Sequence, residues 1–480
     1  MSNKSIKKNY IYNVSYQILV LITPLVTAPY VSRVLGADGI GTISYAESIV
    51  SYFVLFATLG ISTYGQREIS YVQDSKGRRS EVFWNTKVLE FTTSLITMAV
   101  YFIFTISQKE HSIYLLFSFH LLSVFADVTW FFQGMEEFGK IVLRNTVLRL
   151  ANIVYLFLVI RTKEDILLYV FGTVFFNFLS NATLWGYLPR YINKINTVEL
   201  HPYKNIATVL SLFIPTIAIQ IYTVLDKTMI GMITHNSFEN GYYEQALRIS
   251  KMVLTVVTAL GTVMIPRIGY HFKNGETDRV RQFMYRGYRF VWFLGIPLCL
   301  GMIGIAGNFV PWFFGDGYAK VVPLIQILSF LILAIGINNV TGMQYLIPTG
   351  RQNLFTLTVV IGACINFAMN LIFIRFFQSV GAAVASVTAE TAIAMVQIFF
   401  VRKELSPMQV IRESYHYIGA GAVMACVLCF TGKILDSSLV NTIFLIMISA
   451  AAYFSVLWFM KDAFFRSNVE VVLRRIRKKE

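Results

Sequence analysis

Runs of about 20 predominantly apolar residues follow one another from Tyr10 to Met460, separated by short polar stretches. At 1.5 Å per residue, a helical run of that length spans the ~30 Å hydrocarbon core of a bilayer. Lipid offers the backbone no hydrogen-bond partner, so only helices and closed barrels cross it. These runs are unbroken over helical lengths and do not alternate over short segments, which selects helices. Charge content agrees. The chain is 14% charged and 56% hydrophobic, whereas a soluble chain carries about 25% charged residues. The expected fold is an all-α integral membrane protein of about fourteen transmembrane helices, the first centred near Ile22, the seventh near Ile219 and the last near Ile448. The basic segment MSNKSIKKNY precedes an apolar run too long for a signal peptide, and no small-residue cleavage site follows. It reads as the start of a retained first span.

Lysine and arginine set the orientation. With the N-terminus inside and the spans alternating, the cytoplasmic segments hold 30 of the 41 Lys and Arg residues and the outer segments hold 7. Lys87 is counted in the second cytoplasmic segment. This bias supports the span count and places both termini in the cytoplasm. It also accounts for the net charge of +15: the excess lies in short inner loops and the tail VVLRRIRKKE, where it suits anionic inner-leaflet lipid and not nucleic acid.

The chain repeats itself. Residues 40–50 read IGTISYAESIV and residues 240–250 read NGYYEQALRIS, matching Gly41 with Gly241, Ala46 with Ala246 and Ile49 with Ile249. Ser44, Ser48, Ser51, Thr58 and Ser62 run down one helical face. The same spacing 200 residues on gives Glu244, Arg248, Lys251, Thr258 and Thr262, with Thr255 between. Pro24 in the first span is echoed by Pro215 in the seventh, each expected to kink its helix. Spans 1–6 and 7–12 therefore read as two six-helix bundles related by a parallel repeat, a form that puts a substrate site between halves. The expected organisation is a first bundle over 1–188, an interfacial linker over 189–205, a second bundle over 206–404, and two additional helices with a basic tail over 405–480.

Charges inside spans are the candidate functional residues. Each costs about 2.5–3.5 kcal/mol at the centre of a transmembrane helix, so it is kept for pairing or for function. Asp226 and Lys227 sit side by side in the seventh span, and Lys227 shares a face with Gln220 and Thr223. In the eighth, Glu244, Arg248 and Lys251 form one stripe. Three cations and two carboxylates at comparable depth allow two readings: pairs that join two helices, or a cationic cavity for an anionic ligand, which arginine and lysine suit. Glu47 and Arg33 are candidates for the same cavity in a supporting or coupling role. A second set, Lys87, Glu90, Asp127, Arg144 and Arg149, lies toward the cytoplasm, with Asp127 and Arg149 read as a structural pair. Glu390 stands alone in the twelfth span.

Other motifs fail. GMEEFGKI (134–141) has phosphate-loop spacing, but Ile141 replaces the magnesium-binding hydroxyl and the segment is a turn between spans. Cys426 and Cys429 lie within a span with no second pair, as expected of apolar filler. No His-rich motif or catalytic constellation appears. No enzyme activity, metal or cofactor is expected, and a coupling ion, proton or sodium, is left open.

Four stretches, PYVSRVLGADGIGTISYAESIVSYF (29–53), LDKTMIGMITHNSFENGYYEQALRIS (225–250), QYLIPTGRQNLFTLTVVIGACINFAMNLI (344–372) and GAAVASVTAE (381–390), together resemble the Wzx-type polysaccharide flippases. These belong to the multidrug/oligosaccharidyl-lipid/polysaccharide exporter superfamily. The resemblance implies two six-helix bundles around a cavity, usually with two extra C-terminal helices. It further implies movement of a polyprenyl-diphosphate-linked oligosaccharide to the outer leaflet of a bacterial plasma membrane by alternating access. Lys227, Arg248 and Lys251 would then meet the diphosphate or acidic sugars, with Asp226 and Glu244 supporting them. The expected partners are the lipid-linked oligosaccharide, the bilayer, and the polysaccharide polymerase and glycosyltransferases of the same pathway. A lipid II flippase and a cation-coupled multidrug exporter of the same superfamily remain alternatives. A membrane-embedded polysaccharide polymerase is the alternative from another class, though no outer loop here is long enough for a domain of its own.

Overall fold

A computed structural model describes residues 6–108, 110–193, 200–259, 261–467 and 470, and among these all regular structure is helical. The N-terminal lysine side chains, the middle of the 189–205 linker, the tail beyond Glu470 and the side chains of Pro215 and Thr262 lie outside the described residues. By packing, the chain divides into two compact units, Met1–Met232 with Asn236–Gly241, and Ile233–His235 with Tyr242–Glu480. The repeat joins its halves at 189–205, whereas by packing the helix after that linker sides with the first unit.

The first unit contains α1 (Ile6–Thr58), α2 (Ile61–Tyr71), α3 (Lys76–Ile106), α4 (His111–Ala126), α5 (Thr129–Gly134), α6 (Phe138–Val159), α7 (Ile166–Thr183) and most of α8 (Ile206–Thr234). The 53 residues of α1 would extend about 80 Å if straight, far beyond one bilayer. The helix breaks at Gly36, whose φ of 70° and ψ of 172° suit a residue without Cβ. The break falls there and not at Pro24. Before it, Thr23 and Tyr30 follow α6 from Arg149 to Ile160. After it, Phe53 meets Tyr101 and Thr93 reaches the Ala57 carbonyl, running against α3.

Two cores hold this unit. Ala46, Val50, Tyr101, Phe117, Leu121 and Val174 fill the space among α1, α3, α4 and α7. Phe83, Trp130, Phe131, Phe132 and Leu184 form an aromatic block at the other end. Gly65 and Gly134 admit that block: a Cβ on Gly65 would lie 2.5 Å from the Trp130 ring.

The second unit contains most of α9 (Ser237–Thr258), then α10 (Gly261–Lys273), α11 (Thr277–Phe314), α12 (Val321–Leu328), α13 (Leu331–Asn338), a π-helical stretch at Asn339–Leu346, α14 (Gln352–Phe377), α15 (Ser379–Val401), α16 (Pro407–Arg412), α17 (Tyr415–Gly432) and α18 (Leu439–Phe459). Small residues let its helices approach, as expected where lipid gives no hydrophobic drive to association. Ala382, Ala383, Ala385 and Ala389 are fully buried on α15, and Gly381 lies against the Phe373 carbonyl of α14. The appended pair α17–α18 packs on α11 through Ile296, Tyr417, Met424, Leu445 and Tyr453.

Eleven described segments are long and apolar enough to cross a membrane. The first, Tyr16–Tyr71, is long enough for two of the expected crossings, and α8 and α9–α10 stand in the chain where the seventh and eighth are expected. The set is consistent with about fourteen.

Candidate functional site

Helix α8 seats on the second half of α1. Gly231 lies beneath the Tyr45 ring, where a Cβ would come within 2.1 Å of Cδ2. Thr228 Oγ1 donates to Ser48 Oγ at 3.0 Å and lies 3.2 Å from the Tyr52 hydroxyl. This fixes the rotation of α8. Asp226 is buried, whereas Lys227, about 100° further round the helix, is half-buried.

The start of α9 is equally constrained. A Cβ on Gly41 would fall 1.7 Å from the Ser237 carbonyl oxygen, and one on Gly241 2.0 Å from that of Ala37. The two glycines matched by the repeat thus make one backbone crossing. Beyond it α9 buries Tyr243, Gln245, Ala246 and Ser250 and turns its charged stripe outward by steps. Glu244 is buried, Arg248 half-buried, and Lys251 and Thr255 are exposed. Arg248 Nη2 meets Glu244 Oε1 at 3.1 Å with 32% and 12% of the two side chains exposed, so the pair keeps an accessible edge. Arg33 and Glu47 are exposed on α1, on opposite sides of the Gly36 break. Asp226 and Lys227 belong to the first unit, while Glu244, Arg248 and Lys251 belong to the second.

The second charged set is arranged differently from its expectation. Lys87 does not lie in a cytoplasmic loop. It is buried within α3, 2.7 Å from Glu90, and both side chains are 0% exposed. Its ammonium also donates to the Asp127 carbonyl at 2.6 Å and faces the rings of Phe91 and Trp185. A loop count cannot register a lysine neutralised one turn along its own helix. Asp127 and Arg149 take other partners than each other: Asp127 Oδ1 accepts from the Thr129 backbone N–H at 2.8 Å, and Arg149 Nε donates to Thr23 Oγ1 at 3.1 Å. Their spans are consecutive, but the break between α4 and α5 turns the Asp127 carboxylate back on its own chain. Glu390 is not alone either. Asn338 Nδ2 donates to its carboxylate and, at 3.1 Å, to its carbonyl.

One polar region escaped the sequence reading. Asn145, Arg149 and Asn152 share a face of α6 at i, i+4 and i+7, a pattern visible in the sequence once that helix is scanned for polar periodicity. The lysine of the rejected phosphate-loop segment, Lys140, contacts Tyr191, whose hydroxyl also donates to Glu137.

Residues 6–271 match the family model described as "Polysaccharide biosynthesis protein". A protein of Escherichia coli (strain K12) assigned as an O-antigen transporter is 23% identical over 406 residues, spanning 83% of this chain and 97% of that one. Among solved structures, a lipid II flippase, MurJ, in an inward closed conformation aligns with a TM-score of 0.74 at 15% identity, covering 96% of this chain and 100% of that one. An inward-facing multidrug resistance transporter of the MATE family gives a TM-score of 0.60 at 13% identity, covering 82% and 98%. At these identities the two structures speak for the fold.

Proposed function

The chain belongs to the polysaccharide biosynthesis protein family, and from that premise we propose that it carries polyprenyl-diphosphate-linked oligosaccharide units from the cytoplasmic to the outer leaflet for surface polysaccharide assembly. It is a multi-pass membrane transporter of the flippase kind and not an enzyme. The proposed setting is a bacterial plasma membrane with both termini cytoplasmic, and the proposed cycle is alternating access. Polysaccharide polymerase and glycosyltransferases of the same pathway are its proposed functional neighbours.

The observation that carries the reading is the graded stripe on α9. A helix that buries Glu239, Asn240, Glu244, Gln245 and Ser250 leaves Arg248 and Lys251 accessible. An arginine fork and a lysine point charge are suited to a diphosphate. Lys227, on the less buried side of the Asp226–Lys227 step, is proposed as a further substrate-binding cation, with Asp226, Glu244, Glu47 and Arg33 supporting or coupling. The test is complementation of a strain lacking this gene. Wild type restores surface polysaccharide. Arg248→Glu and Lys251→Glu, present in the membrane at wild-type level, are expected to fail. Full restoration by the double variant sinks the assignment of these cations.

A further inference from the structure

The first unit holds a polar cavity of about 450 Å³ bounded by α1, α6 and α7, a volume within the range of small-molecule sites. Its position follows from the two faces of α6. Leu143, Val147, Leu150, Val154 and Leu158 are exposed along one side, as lipid-facing residues are. Asn145, Arg149 and Asn152 line the cavity from the other. Helix α7 brings Asn177, Ser180 and Asn181, and α1 brings Thr23 and Thr27. Polar groups at membrane depth face a partner or a water-filled space, and here part of the set is tied down while part is not.

The tied part is a scaffold. Ser123 donates to Asn177 Oδ1 at 3.0 Å and accepts from Asn181 Nδ2 at 2.9 Å. Asn145 Oδ1 accepts from Ser180 and from Arg144 Nε and Nη2. The remaining part is hydrogen-bonding capacity. Arg144 Nη1 is buried with no partner. Arg149 donates through Nε to Thr23, which leaves the outer edge of its guanidinium, the edge that forks onto a carboxylate. The carboxylate acting on Arg144 is Asp127, itself held by Thr129 N–H. Two guanidiniums against one carboxylate leave a surplus of one positive charge.

We propose that this cavity is a carbohydrate subsite: it receives an oxyanion-bearing sugar of the carried glycan, with Arg149 on the oxyanion and Asn152 on neighbouring hydroxyls. The inference rests on the flippase reading. Carboxamides both donate and accept, as sugar hydroxyls do, whereas a diphosphate calls for donors throughout. A single surplus cation matches one carboxylate. The subsite is therefore assigned to an acidic sugar, and the diphosphate to the α9 stripe.

The experiment uses the full-length protein in lipid nanodiscs and isothermal titration calorimetry with three probes: a glucuronate-containing tetrasaccharide, a neutral glucose tetrasaccharide and inorganic pyrophosphate. The acidic probe is expected to bind at least tenfold more tightly than the neutral one. Arg149→Gln should weaken it about tenfold or more while leaving pyrophosphate binding within twofold. Arg149→Lys keeps the charge but loses the fork, and should fall between. Asn152→Ala should weaken both saccharides alike, and serves where Arg149 variants fail to reach the membrane. Pyrophosphate binding lost with Arg149→Gln moves the phosphate here and overturns the assignment. So does equal binding of the two saccharides, or no saccharide binding at all. A strain lacking the gene that keeps its surface polysaccharide refutes the flippase reading separately, because the calorimetry does not depend on transport.

Discussion

Two intrahelical ion pairs in this protein have nearly the same chemistry and opposite surroundings. Lys87–Glu90 on α3 is sealed, 0% exposed on both sides, at 2.7 Å. Glu244–Arg248 on α9 has an open edge, 12% and 32% exposed, at 3.1 Å. The sealed pair has spent its capacity on protein: a carboxylate, a backbone carbonyl and two aromatic faces surround the ammonium. The open pair continues along the same stripe to an exposed lysine. Charge inside a membrane is thus no single signal. Closure makes it a structural joint, and a remaining edge leaves it able to meet a ligand.

Replacing one member of the sealed pair should have the largest effect. Lys87→Met leaves Glu90 buried without its cation, at a cost of about 3–5 kcal/mol, and the folded protein is expected to vanish from the membrane fraction by fluorescence-detected size exclusion. Lys87→Met with Glu90→Leu removes both charges and should recover most of it. Equal loss in single and double variants would break the comparison from the sealed side. Arg248→Gln tests the open side: protein level near wild type, surface polysaccharide reduced at least tenfold, read by immunoblot. Loss of the protein itself would make this pair a joint too.

The glycine crossing should give an intermediate stability effect. Gly41→Val places side-chain atoms where the Ser237 carbonyl stands. Overpacking of this kind costs about 1–3 kcal/mol, and a lower apparent Tm in detergent is the expected readout. The smallest effect belongs to a charge in the turn between α6 and α7. Asp165 accepts from the backbone N–H groups of Arg161 and Thr162 at 2.9 and 2.8 Å, and these bonds hold its carboxyl below the usual carboxylate range. Its contribution is present above the ordinary carboxylate pKa and lost as pH falls through the lowered native value. Hydrogen exchange at 161–165 should therefore accelerate relative to the rest of the chain on acidification in wild type, and not in Asp165→Asn.

Much of the fold was legible because lipid enforces it: helices of fixed minimum length, and close-packed glycines such as Gly41 and Gly241, which the repeat had matched. The charged sites were less legible. Sequence spacing showed Glu244, Arg248 and Lys251 on one stripe, but exposure along a stripe depends on what packs against it. Lys87 looked like a loop residue because no linear pattern reports that Phe91 and Trp185 close over it. Asp127 and Arg149 sat on adjacent spans, yet backbone geometry after α4 decides where a carboxylate points. The asparagines of α6 are uncharged, and a search led by charge passes over them.

Both pairs share one further property: each joins residues three or four apart on a single helix. During synthesis α3 leaves the ribosome before the segment carrying Asp127 and well before Trp185 exists. An unpartnered lysine entering lipid at that moment would cost about 2.5–3.5 kcal/mol. With Glu90 one turn ahead, the helix carries its own counter-ion and enters as a nearly neutral cylinder. Later helices then need only close around it. The pairing geometry that decides the final structure also removes a dependence on the order in which its helices are made.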